Sequence, residues 1–229
     1  MTTLTLLRHG ESVWNRQRRF AGWADVELSA RGRVQAERAG RLLAACGLTF
    51  DVCFSSCLCR AVETLRIVLE VMGLQQVPVR RSWQLNERHC GALEGLTVWE
   101  AVRRYGLKRM LLWQWRFSEQ PPRLDHDYGC AQVQDPLYAP AAGAELPHGE
   151  SLKDVLVRVV PYWRGAIVPE LRQGKNALVV AHRNTLRVIV KHLDGLSDRG
   201  VARLCIPTGA ALVYQLDEEV RPLRRKLLR

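Results

Sequence analysis

Short apolar runs alternate along this chain with segments of helical period, and no other feature restricts its fold as much. Residues 3–7, 51–54, 176–181 and 211–216 read as strands. Residues 30–46, 58–72 and 184–193 space their apolar side chains by three and four, and Gly47 and Gly73 stand where the first two helices should stop. Strand and helix in alternation fold as α/β layers over one sheet. Val34, Leu42 and Leu43 are expected on one buried stripe of the first helix. Leu58, Ala61, Val62, Leu65, Val68, Leu69 and Met72 are expected on that of the second. A longer helix is expected from about 151 to 171, kinked at Pro161. The rhythm breaks over 121–149, where Pro121, Pro122, Pro136, Pro140 and Pro147 fall. We therefore expect a single domain over 1–229 with a lid or insertion at about 95–150.

Composition removes whole classes of function. Of 229 residues, 47% are hydrophobic and 25% charged, the mix of a globular chain and not of a disordered one. No apolar run is long enough to cross a bilayer, so no membrane partner is expected. Seven cysteines without a regular framework suit a reducing compartment, and a cytoplasmic location is expected. The formal net charge of +11 speaks about partners. No recognition helix, zinc finger or single-strand-binding signature accompanies it, so nucleic acid is not expected and a small anionic substrate is.

His9 and His182 each stand just after an expected strand, over 3–7 and 176–181. In open α/β sheets ligands gather beyond the carboxyl ends of strands, so both rings could face one crevice. Arg8, Gly10 and Ser12 surround the first ring, Arg183 and Asn184 follow the second, and Arg60 opens the helix after the second strand. A lone histidine at a strand end is more often structural. Two at equivalent places, each beside arginine and with little acid nearby, describe a pocket for phosphate. Guanidinium forks match its oxygens, and a helix N-terminus adds donors. GxGxxG, Walker A and HExxH motifs are absent, and the spacing of Cys53, Cys57 and Cys59 is not a metal-ligand pattern, so no metal is expected.

The run Leu7-Arg8-His9-Gly10-Glu11-Ser12, then Trp14-Asn15, then Phe20-Ala21-Gly22-Trp23 with Asp25, resembles the histidine phosphatase superfamily. Leu85-Asn86-Glu87-Arg88-His89, Glu150-Ser151-Leu152-Lys153-Asp154, Val190-Lys191-His192-Leu193 and Pro207-Thr208-Gly209 resemble its 2,3-bisphosphoglycerate-dependent phosphoglycerate mutase branch. The likeness runs from about residue 3 to 223. It implies an α/β three-layer sandwich, a mostly parallel central sheet with helices on both faces. It also implies a mechanism. His9 would be the nucleophile that becomes phosphohistidine. Arg8, Arg60 and His182 would surround the transferring group, and Glu87 would act as general acid and base. Ser12, Asn15, Gly22, Arg88, Arg183 and Asn184 would contact phosphate or substrate. The resemblance further implies 2,3-bisphosphoglycerate as primer, no metal, and a homodimer as the assembly to test.

The substrate pocket departs from that pattern. Cys90 stands for a tyrosine, Val98 for a lysine, Gln114 and Trp115 for an arginine pair, Ala21 for serine or threonine, and Arg183 for a glycine. Hydrogen bonds to charged groups contribute about 1.5–3 kcal/mol each. Three lost from the far end of the substrate would weaken binding roughly a thousandfold or more. Two enzymatic readings stay open: a mutase acting on 3-phosphoglycerate or a close analogue, and a phosphatase for another small phosphomonoester. A third reading, a non-catalytic binding protein using the basic tail, is disfavoured because a binder has little need of Glu87.

Overall fold

In a computed structural model of the chain, residues 1–124, 138 and 146–229 are described. Six strands form one sheet: β1 (Thr2–Arg8), β2 (Val52–Ser55), β3 (Val79–Arg81), β4 (Ala177–Ala181), β5 (Ala211–Leu216) and β6 (Pro222–Leu228), in the order β3-β2-β4-β1-β5-β6. The first four in that order are parallel; β5 is antiparallel to β1, and β6 is antiparallel to β5. Among the described residues the α-helices are α1 (Val13–Arg16), α2 (Ala30–Ala45), α3 (Cys59–Met72), α4 (Val98–Tyr105), α5 (Leu107–Trp115), α6 (Leu152–Tyr162), α7 (Val168–Arg172), α8 (Arg183–Asp194) and α9 (Asp198–Arg203).

The period of two along β4 divides the core between two faces. Ala177, Val179 and Ala181 pack with Leu4, Leu6 and Phe54 against Val155 and Val159 of α6 and Leu186 and Val190 of α8. Leu178 and Val180 pack with Leu7 and Cys53 against Ala39 and Leu43 of α2 and Ala61, Leu65 and Val68 of α3. The result is the mixed sheet with helices on both faces that the alternation requires.

Three local features depart from expectation: the place of Val34, the C-terminal segment and an additional edge strand, β3. Val34 is 59% exposed. The buried stripe of α2 is instead Gly32, Ala36, Ala39, Gly40 and Leu43, whose small members let α3 close in: a Cβ on Gly40 would meet Val71 Cβ at 2.9 Å. The expected helix over 151–171 runs through Pro161, which lies inside α6. Trp163–Ile167 is π-helical, with the Val168 N–H bonded to Trp163 O, and Pro169, which cannot donate, follows it. The basic C-terminal segment is not a loose tail but β6. β3 is likewise an edge strand, exposed along its length. Of the expected lid, residues 125–137 and 139–145 lie outside the described residues. The flanks are stitched to the 89–92 turn by Ala92 N–H to Pro122 O and Glu150 N–H to His89 O, each 2.9 Å.

Candidate active site

β1 and β4 are neighbours, with Arg8 opposite Ala181, so His9 and His182 leave the sheet side by side. The His9 amide donates to Ala181 O at 3.0 Å, and the two ring centroids are 4.9 Å apart. His9 Nδ1 lies 2.6 Å from Gly10 O, which assigns the proton to Nδ1 and leaves the Nε2 lone pair free. His182 Nε2 lies 2.7 Å from Ser56 Oγ. Burial, and then the Arg60 charge, hold both imidazoles well below the usual 6.5, so both are neutral at pH 7.

Backbone carbonyls fix the surrounding guanidiniums without neutralising them. Arg8 Nη1 donates to Ile206 O at 2.7 Å, and burial pulls its pKa down to about 10. Arg60, fully enclosed, donates to Ala24 O and Gly22 O, both at 2.8 Å. Gly22 has φ +47°, and a Cβ there would meet Glu94 Oε2 at 2.3 Å. Arg88 Nη1 donates to Trp113 O at 2.9 Å.

Glu87 faces these cations. Its Oε1 accepts from the amides of Arg88 at 2.8 Å and Asn184 at 3.2 Å, the latter in the first turn of α8. A buried bidentate pair anchors its backbone: Arg158 Nε and Nη2 reach the Glu150 carboxylate at 2.6 and 2.9 Å. The same guanidinium donates to the carbonyls of Gln84, Asn86 and Glu87.

These groups enclose a cavity of about 260 Å³. Arg8, His9, Asn15, Gly22, Arg60, Glu87, Arg88, Arg183 and Asn184 all line it, and His182 adjoins His9 with the two ring planes tilted by 58°. Ser12 does not line it. Fully buried, it is the N-cap of α1, accepting the Asn15 N–H at 3.1 Å in a capping box. Among the substituted positions, Ala21, Cys90, Val98 and Gln114 line the cavity. Trp115 instead borders a separate hollow with Phe117 and Arg199. Burial pushes the Cys90 thiol up to about 12, so it carries no charge. Arg187, Met110 and Trp113 also line the cavity and were not anticipated. Arg187 stands four residues after Arg183, one helical turn on, and that spacing was its only signal.

The cavity suits a compact polyanion. Six arginines and one carboxylate, Glu87, line it among the described residues. The buried Nε atoms of Arg8 and Arg88 and His182 Nδ1 have no hydrogen-bond partner there. Among the described residues, no group of three or more His, Cys, Asp or Glu is placed to hold a metal ion.

The histidine phosphatase superfamily (branch 1) matches residues 4–226. The chain is 49% identical over 220 residues to a 2,3-bisphosphoglycerate-dependent phosphoglycerate mutase of Leifsonia xyli subsp. xyli (strain CTCB07), covering 96% of this chain and 88% of that one. It is 47% identical over 222 residues to the enzyme of the same name from Thermobifida fusca (strain YX), covering 97% and 90%. Among solved structures, a mycobacterial glucosyl-3-phosphoglycerate phosphatase complexed with VO3 superposes with a TM-score of 0.74 at 25% identity, covering 99% of this chain and 97% of that one.

Proposed function

The chain belongs to branch 1 of the histidine phosphatase superfamily, and on that premise we propose that it moves phosphoryl groups through His9 as a phosphoglycerate mutase, interconverting 3-phosphoglycerate and 2-phosphoglycerate. The observation that carries this reading is the neutral His9–His182 pair, rings 4.9 Å apart, set between carbonyl-anchored arginines with Glu87 at the same cavity. The near-half identity to two mutases over almost the whole chain points the same way.

In this mechanism the His9 Nε2 lone pair attacks phosphorus, and the bond from phosphorus to the substrate oxygen breaks. Glu87 in its acid form gives that oxygen a proton. Attack by an incoming hydroxyl on the phosphohistidine returns a proton to Glu87 and frees His9. Arg8 and Arg60 stabilise the moving charge, and His182, held through Nε2 by Ser56, keeps Nδ1 for a phosphoryl oxygen. When bound, 2,3-bisphosphoglycerate supplies the first phosphoryl group; the basic cavity fits it, with Arg8, Arg60 and Arg88 as the groups that would hold it. A homodimeric, cytoplasmic enzyme belongs to the same proposal, and sedimentation of the purified chain checks the dimer.

One observation favours a second reading. Val98, Met110, Trp113 and Gln114 form a wall of the cavity that carries no charge. A mutase must retain a bisphosphorylated intermediate while it turns; a phosphatase needs only water as the second acceptor. An enolase-coupled assay with 3-phosphoglycerate, with and without 2,3-bisphosphoglycerate, separates the two when phosphate release is recorded in parallel and His9→Ala is the control. Fast, primer-dependent formation of 2-phosphoglycerate supports the mutase. His9-dependent phosphate release without isomerisation replaces it with the phosphatase. Phosphorylation of the His9→Ala variant would remove His9 from the mechanism.

A further inference from the structure

Six arginines reach the cavity, and five of them are tied down. Arg8 donates to Ile206 O, Arg19 to Gly95 O, Arg60 to Gly22 O and Ala24 O, Arg88 to Trp113 O, and Arg187 to Ala202 O and Leu204 O. Arg183 differs. It lines the same cavity, half-buried, yet among the described residues no hydrogen bond or ion pair engages its guanidinium. It opens α8, a twelve-residue helix with no acid in its first turn and an N-cap, His182, that makes no side-chain cap bond. Its charge acts on both Arg8 and Arg187. Carbonyl-anchored arginines hold a fixed geometry. A free one beside two like charges gains most when an anion arrives.

α4 and α5 bring no charged side chain of their own to the lining, and the arginines nearest them, Arg19 and Arg88, are already tied to Gly95 O and Trp113 O. Phe20, Leu93, Val98, Met110 and Trp113 are apolar and Gln114 is neutral. Arg8 and Arg60 stand beside His9, where the reacting phosphoryl group must lie. We propose that Arg183 pairs with the second anionic group of the substrate, so that the α8 side of the cavity, and not the α4–α5 side, selects small phosphomonoesters bearing a carboxylate over those with a neutral tail. This rests on the phosphohistidine reading of the site. It also gives the arginine at the position after His182, glycine in the resembled mutases, a task that the charge lost at Val98 and Gln114 leaves open.

The test compares two phosphomonoesters that differ at the distal end: 3-phosphoglycerate, with a carboxylate, and glycerol 3-phosphate, with a neutral hydroxymethyl group. His9 labelling and kcat/KM for phosphate release are measured for wild type, Arg183→Gln and Arg183→Lys, with melting curves for all three. Arg183→Gln is expected to lower the ratio of kcat/KM for 3-phosphoglycerate over glycerol 3-phosphate by about 10- to 100-fold, chiefly through KM, because one charge-assisted hydrogen bond is lost. Arg183→Lys should recover part of it. A merely structural role would depress both substrates together, and an unchanged ratio overturns the proposal while leaving the His9 reading intact. Absence of His9-dependent labelling in the wild type would instead overturn the reading beneath it.

Discussion

Replacing Arg158 with methionine tests whether the buried pair behind Glu87 holds this proposed acid–base group in place. Arg158 and Glu150 expose 8% and 3% of their side chains, so neither charge is solvated. Removing the guanidinium leaves the Glu150 carboxylate with only the His89 N–H, at 2.8 Å, among the bonds described here. It also strips the donor from Gln84 O, while Asn86 O keeps Thr185 Oγ1 and Glu87 O keeps Trp23 Nε1, both at 2.6 Å. Breaking one side of a buried pair costs about 3–5 kcal/mol. For a chain of this size each kcal/mol lowers Tm by roughly 2–4 °C, so Arg158→Met should melt roughly 6–20 °C below wild type. Glu150→Met added to Arg158→Met removes the uncompensated charge and should recover part of the loss. Calorimetry on wild type, both single variants and the double variant gives the coupling, and kcat on the folded single variant should fall with the loosened Glu87. An Arg158→Met protein that melts within about 2 °C of wild type would refute the reasoning.

Three further outcomes follow from the same geometry. His9 and His182 are held below 6.5 in the fold and recover that value on unfolding, so the unfolded chain takes up more protons below pH 6.5. Their contribution to stability is complete above pH 6.5 and is lost as pH falls toward the folded values, about 1.4 kcal/mol per pH unit for each ring; urea midpoints that stay level from pH 7 to 5.5 would contradict it. Gly10→Ala places a Cβ 2.2 Å from Gly32 O, backbone against backbone, and should cost about 1–3 kcal/mol in chemical denaturation. It should also lower kcat, because Gly10 O orients His9. Val34→Lys, on the exposed side of α2, should stay within about 0.5 kcal/mol of wild type, and a larger loss would return Val34 to the core.

The central strands were legible because β1, β2 and β4 are covered on both faces, so burial writes itself as unbroken apolar runs. The edges were not. β3 has no buried residue and β6 is mostly exposed with Arg224, Arg225 and Lys226 at its centre, and neither carries the period that burial imposes. β6 also accounts for much of the C-terminal charge: arginine and lysine on an exposed edge deter pairing with a second sheet, so the surplus of cations there is not in itself a sign of a partner. In the site, the residues adjoining each histidine could be read from the chain, since leaving a strand end fixes where they go. Arg158 could not, because its task is to hold a segment some seventy residues away. Gln114 and Trp115 were read as one pair, but neighbours on a helix point about 100° apart, and only Gln114 reaches the cavity. Small residues misled in the same way at α2, where Ala36, Ala39 and Gly40 give close approach and the bulkier Val34 gives nothing.

The position of β1 bears on the order in which the chain can be assembled. β1 lies inside the sheet, between β4 and β5, and Leu4, Leu6 and Leu7 are wholly buried only once both have docked. Both partners are encoded more than 160 residues later. At about 5–20 residues per second, a ribosome leaves this apolar strand without its neighbours for roughly 10–35 s. His9 acquires its Ala181 bond, and with it the place beside His182, only at that late closure. A nascent chain thus carries His9, the proposed nucleophile, from the beginning, but on that reading can have no phosphoryl-transfer activity until nearly all of it has been made. Recovery of activity on refolding should accordingly report the long-range pairing of β1 rather than the earlier formation of the local helices.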